Sequence, residues 1–371
     1  MPTGNQRQRL RSLLSFTLKF AVTIAAFYVL LQHPVHSSSG EQVSALQAIL
    51  NYLPRIDRAT FWWFALLAFV VRTSGMACSM LRWNLLLRGQ GLCFPFWHVV
   101  TTFLIGRFLG TFLPSTIGLD GYKLYDAAKY SGRSAEAAAA TVVEKGLGIV
   151  GIFLCFLVTF PLGQTILGAR AAMVGWVTIP VAAALTLMFF AVLFHPRWLL
   201  WWLDLIPGLQ QGRIGGFVTR LHSAAAAYRG QKQRLAIAAG LSFFVHFLTA
   251  VTYFFTAIAV GAHHAEFWEV IFASTIQIFA TVMSPFTIAG EGVREIVQAL
   301  LLAHRIGLET SILSAALGFW VAEAPTLTGG IFYLMRDASY RPAVRIQPPA
   351  AVAASGNGTD APPVLRESSS R

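Results

Sequence analysis

Pro114-Ser115-Thr116-Ile117-Gly118-Leu119-Asp120-Gly121-Tyr122-Lys123 closes one apolar stretch, and Pro285-Phe286-Thr287-Ile288-Ala289-Gly290-Glu291-Gly292-Val293-Arg294 closes another. Both read Pro-x-Thr-Ile-x-x-acid-Gly-x-base, so six of ten positions agree in residue or charge type. Proline and glycine interrupt a helix and free backbone N–H and C=O groups. In hydrocarbon those groups must be satisfied by protein, water or ligand. A repeated helix break carrying an acid and a base, set in apolar sequence, is the pattern of a transporter core.

The surrounding composition supports a membrane setting. The 371-residue chain is 56% hydrophobic and 12% charged, with mean hydropathy +0.60. Soluble domains carry about a quarter charged residues. The formal net charge of +12 could suggest nucleic acid, but the basic residues lie between apolar runs, where they orient a chain in the bilayer. Cys78, Cys93 and Cys155 lack metal-ligand spacing and read as small buried hydrophobes. No phosphate loop, nucleophile elbow or His-Glu-x-x-His is present. Neither a cofactor nor a metal is expected, and an enzymatic activity is not.

Six segments are long enough to cross about 30 Å of hydrocarbon, which takes around 20 helical residues. They are Leu13–Leu31, Phe61–Leu81, Thr141–Phe160, Met173–Phe194, Leu235–Val260 and Ser311–Met335. The first follows Arg7, Arg9 and Arg11 and reads as an uncleaved span rather than a signal peptide. Val99–Leu113, roughly 22 Å at 1.5 Å per residue, and Phe267–Ser284 fit less well. Each runs into one motif copy, and each reads as the first arm of a re-entrant hairpin.

With the N-terminus inside, the cytoplasmic segments hold Arg82, Arg88, Lys123, Lys129, Arg133, Arg197, Arg213, Arg220, Arg229, Lys232 and Arg234. They also hold the terminal basic residues. The outer segments hold Arg55, Arg58, Arg170 and Arg305, which obeys the positive-inside rule. Both termini are then cytoplasmic. The first hairpin opens from the inside and the second from the outside, as in an inverted repeat. The expected fold is all-α, a polytopic transmembrane bundle with about six full spans and two oppositely oriented hairpins. A basic N-terminus covers 1–12, one membrane domain 13–336, and a Pro/Ala/Ser-rich disordered tail 337–371. The loop Pro196 to Arg234, with Trp198, Trp201 and Trp202, reads as an interfacial anchor helix.

A helix restarting at Asp120 or Glu291 presents free N–H groups and a positive dipole end, which favour phosphate or carboxylate. Lys123 and Arg294 follow one turn later on the same face. Each copy thus offers a cation and a dipole to an anionic headgroup, while the acid balances charge or carries a proton. The same residues would also serve simply to cap a helix and neutralise each other. Arg107 lies in the first short arm, where a charge needs a partner. Glu144 and Lys145 open a span, Glu295 follows Arg294, and Glu323 lies deep in the last span. Arg107 with Asp120 or Glu144, and Arg294 with Glu323, are the expected pairs. Lys19 and Arg72 can snorkel to an interface. His246 and Gln277 read as helix–helix hydrogen bonders, and His263 and His264 as loop residues without metal. Pro114, Gly118, Gly121, Pro285, Gly290 and Gly292 are the expected helix-break positions.

At Arg107-Phe108-x-x-x-Phe112-Leu113-Pro114, Gly118-x-Asp120, Glu144-Lys145-x-x-Gly148 and Gly290-x-Gly292-x-Arg294-Glu295 the chain resembles the membrane (flippase-like) region of the lysylphosphatidylglycerol synthases, a region also found as free-standing proteins. The likeness runs from about residue 10 to 336. It departs from the pattern at Leu119, where glycine is usual, at Lys145, where arginine is common, and at Glu323, in a span where relatives often carry arginine. The resemblance implies movement of a polar-headgroup lipid between leaflets of a bacterial inner membrane. It does not imply synthase activity, because the soluble aminoacyltransferase domain is missing from this sequence. In that reading Arg107, Lys123, Lys145 and Arg294 bind an anionic or zwitterionic headgroup. Asp120, Glu144, Glu291, Glu295 and Glu323 balance charge or relay protons. Two other readings stay open: a non-transporting partner of envelope-lipid biosynthesis enzymes, docking through the basic inner loop, and an intramembrane lipid glycosyltransferase.

Overall fold

The computed structural model describes residues 28, 31–32, 34–36, 42–112, 117–194, 227–228, 230–284 and 292–336. All belong to one compact unit, Met1–Arg336; the tail from Asp337 is a separate unit outside the described residues. The basic N-terminus and most of the first expected span also lie outside them, as does most of the loop read as an anchor helix.

Helix dominates. The exception among the described residues is a two-stranded antiparallel ribbon, β1 (Pro34–His36) with β2 (Gln42–Ser44). The helices are α1 (Ala45–Tyr52), α2 (Arg58–Gly89), α3 (Phe96–Phe112), α4 (Ile117–Ser131), α5 (Ser134–Gly163), α6 (Ala171–Phe194), α7 (Lys232–Ala259), α8 (Phe267–Met283), α9 (Val293–Ile306), α10 (Leu308–Glu323) and α11 (Leu327–Met335).

Three helical stretches are long and apolar enough to cross a membrane: Arg58–Gly89, Ser134–Ala191 and Lys232–Ala259. The second is divided by a 3-10 turn at Gln164–Arg170, where Gly168 takes φ 53°, so it contains both α5 and α6. Each of those exceeds the ~20 residues a crossing needs. Arg58–Gly89 begins on an N-cap in which Asp57 Oδ2 accepts from the Thr60 amide at 2.7 Å. Large apolar side chains point outward as well as inward. Trp62 is 71% exposed, Leu300 76% and Trp320 69%. Apolar surface of this extent is a liability in water and the normal state in lipid.

The expected last span, Ser311–Met335, is not one helix. It breaks at the 3-10 turn Ala324–Thr326, because Pro325 cannot continue the backbone ladder. Of the cysteines, Cys155 is buried, Cys78 half-buried and Cys93 exposed, so the reading as buried hydrophobes holds for one of three. Cys93 sits in the turn between α2 and α3, where no helix covers it.

α2 and α7 form the spine and run antiparallel. Phe64 stacks on Phe255, Arg72 bonds Thr249, Gly75 backs onto Leu248, and Arg82 bonds Ser242. The α3–α4 pair follows α2, and the α8–α9 pair follows α7. The two helix–break–helix units therefore depart from opposite ends of the spine. Each is itself antiparallel. In the first, Gly110 meets Leu119, Thr102 meets Asp126 and Phe94 meets Tyr130. In the second, Glu269 pairs with Arg305, and Leu302 packs with Val270, Phe272 and Ala273.

The helices approach closely where side chains are small. A Cβ on Gly151 of α5 would stand 2.6 Å from the Ser242 backbone of α7. No side-chain rotation relieves a clash with backbone. Gly151→Leu is expected to cost ~1–3 kcal/mol through overpacking, read as a lower thermal midpoint in detergent. An unchanged midpoint would show that this crossing is loose.

Candidate functional site

Three helices meet at a buried ionic triad. Lys123 of α4 donates to Glu144 Oε2, and Arg82 Nη2 of α2 lies 3.2 Å from Glu144 Oε1. Lys123 is 1% exposed, Glu144 3% and Arg82 7%. Arg82 also donates to Ser242 Oγ at 2.9 Å and to Ser79 Oγ at 3.4 Å. The Lys123 ammonium stands 4.9 Å from the Trp83 ring centre and 5.7 Å from that of Phe103. Two cations share one carboxylate, with aromatic faces adding cation–π attraction.

Asp120 does not neutralise Lys123 as the spacing alone suggests. It takes Lys145 of α5 at 2.5 Å, nearer the surface. The two motif charges and the Glu144-Lys145 pair thus cross over: each acid holds the base of the other helix. Lys123 faces the interior and needs a desolvated partner, which Glu144 supplies.

A second cluster joins the two halves. Arg107 Nη2 of α3 bonds Glu323 Oε1 at 2.6 Å and its Nε bonds Thr326 Oγ1 at 3.0 Å. This replaces both partners expected for Arg107. Glu323 ends α10 at the Pro325 break, which presents its carboxylate to α3. Arg294 of α9 lies 3.4 Å from Glu295 and 4.5 Å over the Phe319 ring. Its neighbouring acid is thus Glu295, in place of the Glu323 contact that the sequence suggests. Glu295 Oε2 in turn accepts from the Gly292 amide at 2.7 Å. Gly292 opens α9 with φ 82°, a conformation that favours glycine. Arg72 of α2 donates to Thr249 Oγ1 at 2.6 Å and lies within direct electrostatic reach of Arg107, Glu323 and Arg294. His246 of α7 sits between Arg72 and Arg82, and its Nε2–H donates to the Gly148 carbonyl at 3.0 Å, the helix–helix bond expected of it.

Among the described residues these charges form separate groups: Arg82 and Lys123 on Glu144, Arg107 on Glu323, and Arg294 beside Glu295.

Of the helix-break positions, Gly292 lies at a break. Gly118 and Gly121 do not: helix has resumed by Ile117, so both sit in the first turns of α4, with Asp120 inside the first turn. Nothing crowds Gly121. Pro114, Pro285, Gly290 and Glu291 lie outside the described residues, as does Lys19.

A third cluster escaped the sequence reading. Asp126 of α4, fully buried, accepts from Thr102 Oγ1 at 2.6 Å and from Arg336 Nη1 at 2.7 Å, and pairs with His98 Nε2 at 2.7 Å. Arg336 also bonds Tyr122 at 2.7 Å. It ties the end of α11 to the α3–α4 unit. The signal was available: His98 and Thr102, like Tyr122 and Asp126, are four residues apart and share helix faces.

An apolar helical bundle with exposed aromatic and aliphatic faces, and with its charges gathered inside, defines an integral membrane protein. The sequence matches the family described as lysylphosphatidylglycerol synthase TM region over residues 16–326, and the chain belongs to that family. Comparison with curated proteins finds none that matches.

Proposed function

We propose that the protein moves a lipid with an anionic headgroup between the leaflets of a bacterial cytoplasmic membrane. The observation that carries this reading is that Arg107, from the unit that follows α2, and Arg294, from the unit that follows α7, both reach α10, at Glu323 and at Phe319 one turn before it. Cations inside a low-dielectric bundle are costly, and a phosphate is a strong charge-assisted partner for an arginine. In this reading α3–α4 and α8–α9 are re-entrant hairpins entering from opposite faces, and both termini are cytoplasmic. The headgroup passes between the hairpins while the acyl chains stay in lipid, and no covalent step is needed. Lys123 and Glu144 hold the hairpin α3–α4 against α2 and α5, and Asp120–Lys145 closes its rim.

The test is headgroup-labelled phosphatidylglycerol in proteoliposomes, with a dithionite-quenchable label to read the leaflet. The purified chain is expected to move it faster than phosphatidylcholine. Rates equal to those of protein-free vesicles would overturn the proposal. Unchanged rates in the Lys123→Ala, Arg294→Ala double variant would remove those residues from the path.

A further inference from the structure

Five of the nine buried side-chain polar atoms that lack a hydrogen-bond partner among the described residues lie in the α8–α9 unit. They are Ser274 Oγ, Gln277 Oε1, Thr281 Oγ1 and both amide atoms of Gln298. Ser274 and Gln298 are 0% exposed and Gln277 1%. Ser274, Gln277 and Thr281 are spaced three and four apart, so they share one face of α8. The antiparallel register that sets Glu269 against Arg305 places Gln277 across from Gln298 and Thr281 across from Arg294. The polar face thus runs from the Thr165–Glu269–Arg305 cluster at one end to Arg294 at the other. Twelve residues of helix make this about 18 Å.

Left dry, these groups would cost a sum comparable to the whole stability of a domain. What satisfies them must both donate and accept, because the Ser274 and Thr281 hydroxyls do both, Gln277 Oε1 and Gln298 Oε1 accept, and Gln298 Nε2 donates. It must be uncharged as well. Arg305 and Arg294 at the two ends repel a cation, and Glu269 and Glu295 beside them repel an anion. It must also be small, since helices enclose every member except the half-buried Thr281.

We propose that the α8–α9 unit encloses a file of ordered water molecules, held by Ser274, Gln277, Thr281 and Gln298, that hydrates Arg294 from the Glu269–Arg305 end. Buried waters of this kind make two to four bonds to otherwise unmatched polar groups. The file stands whether or not the protein moves lipid. It gives the arginine of the second motif a source of hydration that does not cross the lipid-facing surface.

X-ray radiolysis of the unmodified chain in detergent tests this, because hydroxyl radicals born from bound water oxidise the side chains beside it. Val270 and Leu302, both fully buried between α8 and α9, are expected to be oxidised about tenfold faster than Val150 and Leu235, comparably buried in α5 and α7. Equal rates would overturn the proposal. In the Gln277→Leu, Gln298→Leu variant the oxidation should fall to the control level. Oxidation that persists there would also overturn it, by placing the water elsewhere. Should that variant fail to fold, the measurement on the unmodified chain decides by itself.

Discussion

Glu144→Ala is expected to be the most damaging single substitution in the bundle. One carboxylate holds two buried cations, Lys123 on Oε2 and Arg82 on Oε1. Truncation leaves both charges in place, close together, with hydroxyls and aromatic faces for company. Breaking a buried ion pair from one side typically costs ~3–5 kcal/mol, a large share of the ~5–15 kcal/mol that keeps a protein folded. The expected result is a thermal midpoint in detergent lowered by about 10 °C or more, or loss of the monodisperse peak on gel filtration. The mechanism is tested by removing the cations as well. Glu144→Ala combined with Arg82→Met and Lys123→Met should recover much of the loss, because apolar replacement of a whole buried network is often neutral. If Glu144→Ala alone melts with the parent, water reaches the triad and the interior is not closed there.

The sequence made the helices legible and their pairings much less so. Apolar runs gave the bounds of Lys232–Ala259 and Phe267–Met283 to within three residues, but ended Arg58–Gly89 eight residues early and began Ser134–Gly163 seven residues late, because composition marks the apolar length and not the polar turns that continue a helix. Ionic partners are not written that way. Asp120 and Lys123 share a helix face by spacing, yet the interior position of Lys123 draws it to Glu144, and the outer position of Asp120 draws it to Lys145. Burial decides between two equally good local geometries, and burial is a property of packing. Glu323 was visible as a deep charge, but its partner Arg107 is more than two hundred residues away and meets it through the Pro325 break. Asp126 drew no attention at all, because an acid in the middle of a polar helix looks solvated until α11 brings Arg336 onto it.

The position of Arg72 was readable. It stands fourteen residues from the start of a 32-residue helix, roughly 21 Å from that end at 1.5 Å per residue, where it reaches Thr249 across the spine. Depth, rather than residue type, separates an anchoring arginine from one that serves the interior. The antiparallel spine extends the same logic. Because α2 and α7 run in opposite directions, the charged units that follow them leave the spine at opposite ends. The two motif bases nevertheless go to separate places, Lys123 to Glu144 beside Arg82 and Arg294 to Glu295 and the Phe319 ring.

Arg72→Gln should divide stability from function. Among the described residues Arg72 has no carboxylate within ion-pair distance; its bond is to Thr249. Removing it strands no buried acid and lessens repulsion with Arg107 and Arg294, so the thermal midpoint is expected to hold or rise. A hydrogen bond from a guanidinium to a charged group is worth ~1.5–3 kcal/mol, and 1.4 kcal/mol is a factor of ten. If Arg72 helps hold a phosphate, its loss should weaken binding of phosphatidylglycerol about ten- to a hundredfold, read by lipid titration of the detergent-solubilised chain, and slow its movement in proteoliposomes comparably. Phosphatidylcholine movement should change less, since its ammonium already offsets the phosphate. Arg72→Lys should restore part of the loss, because it returns the charge without the fork of donors. A variant as stable as the parent and unchanged toward anionic lipid would mean that the three arginines meet for packing alone, and the central cluster would cease to be a candidate headgroup site.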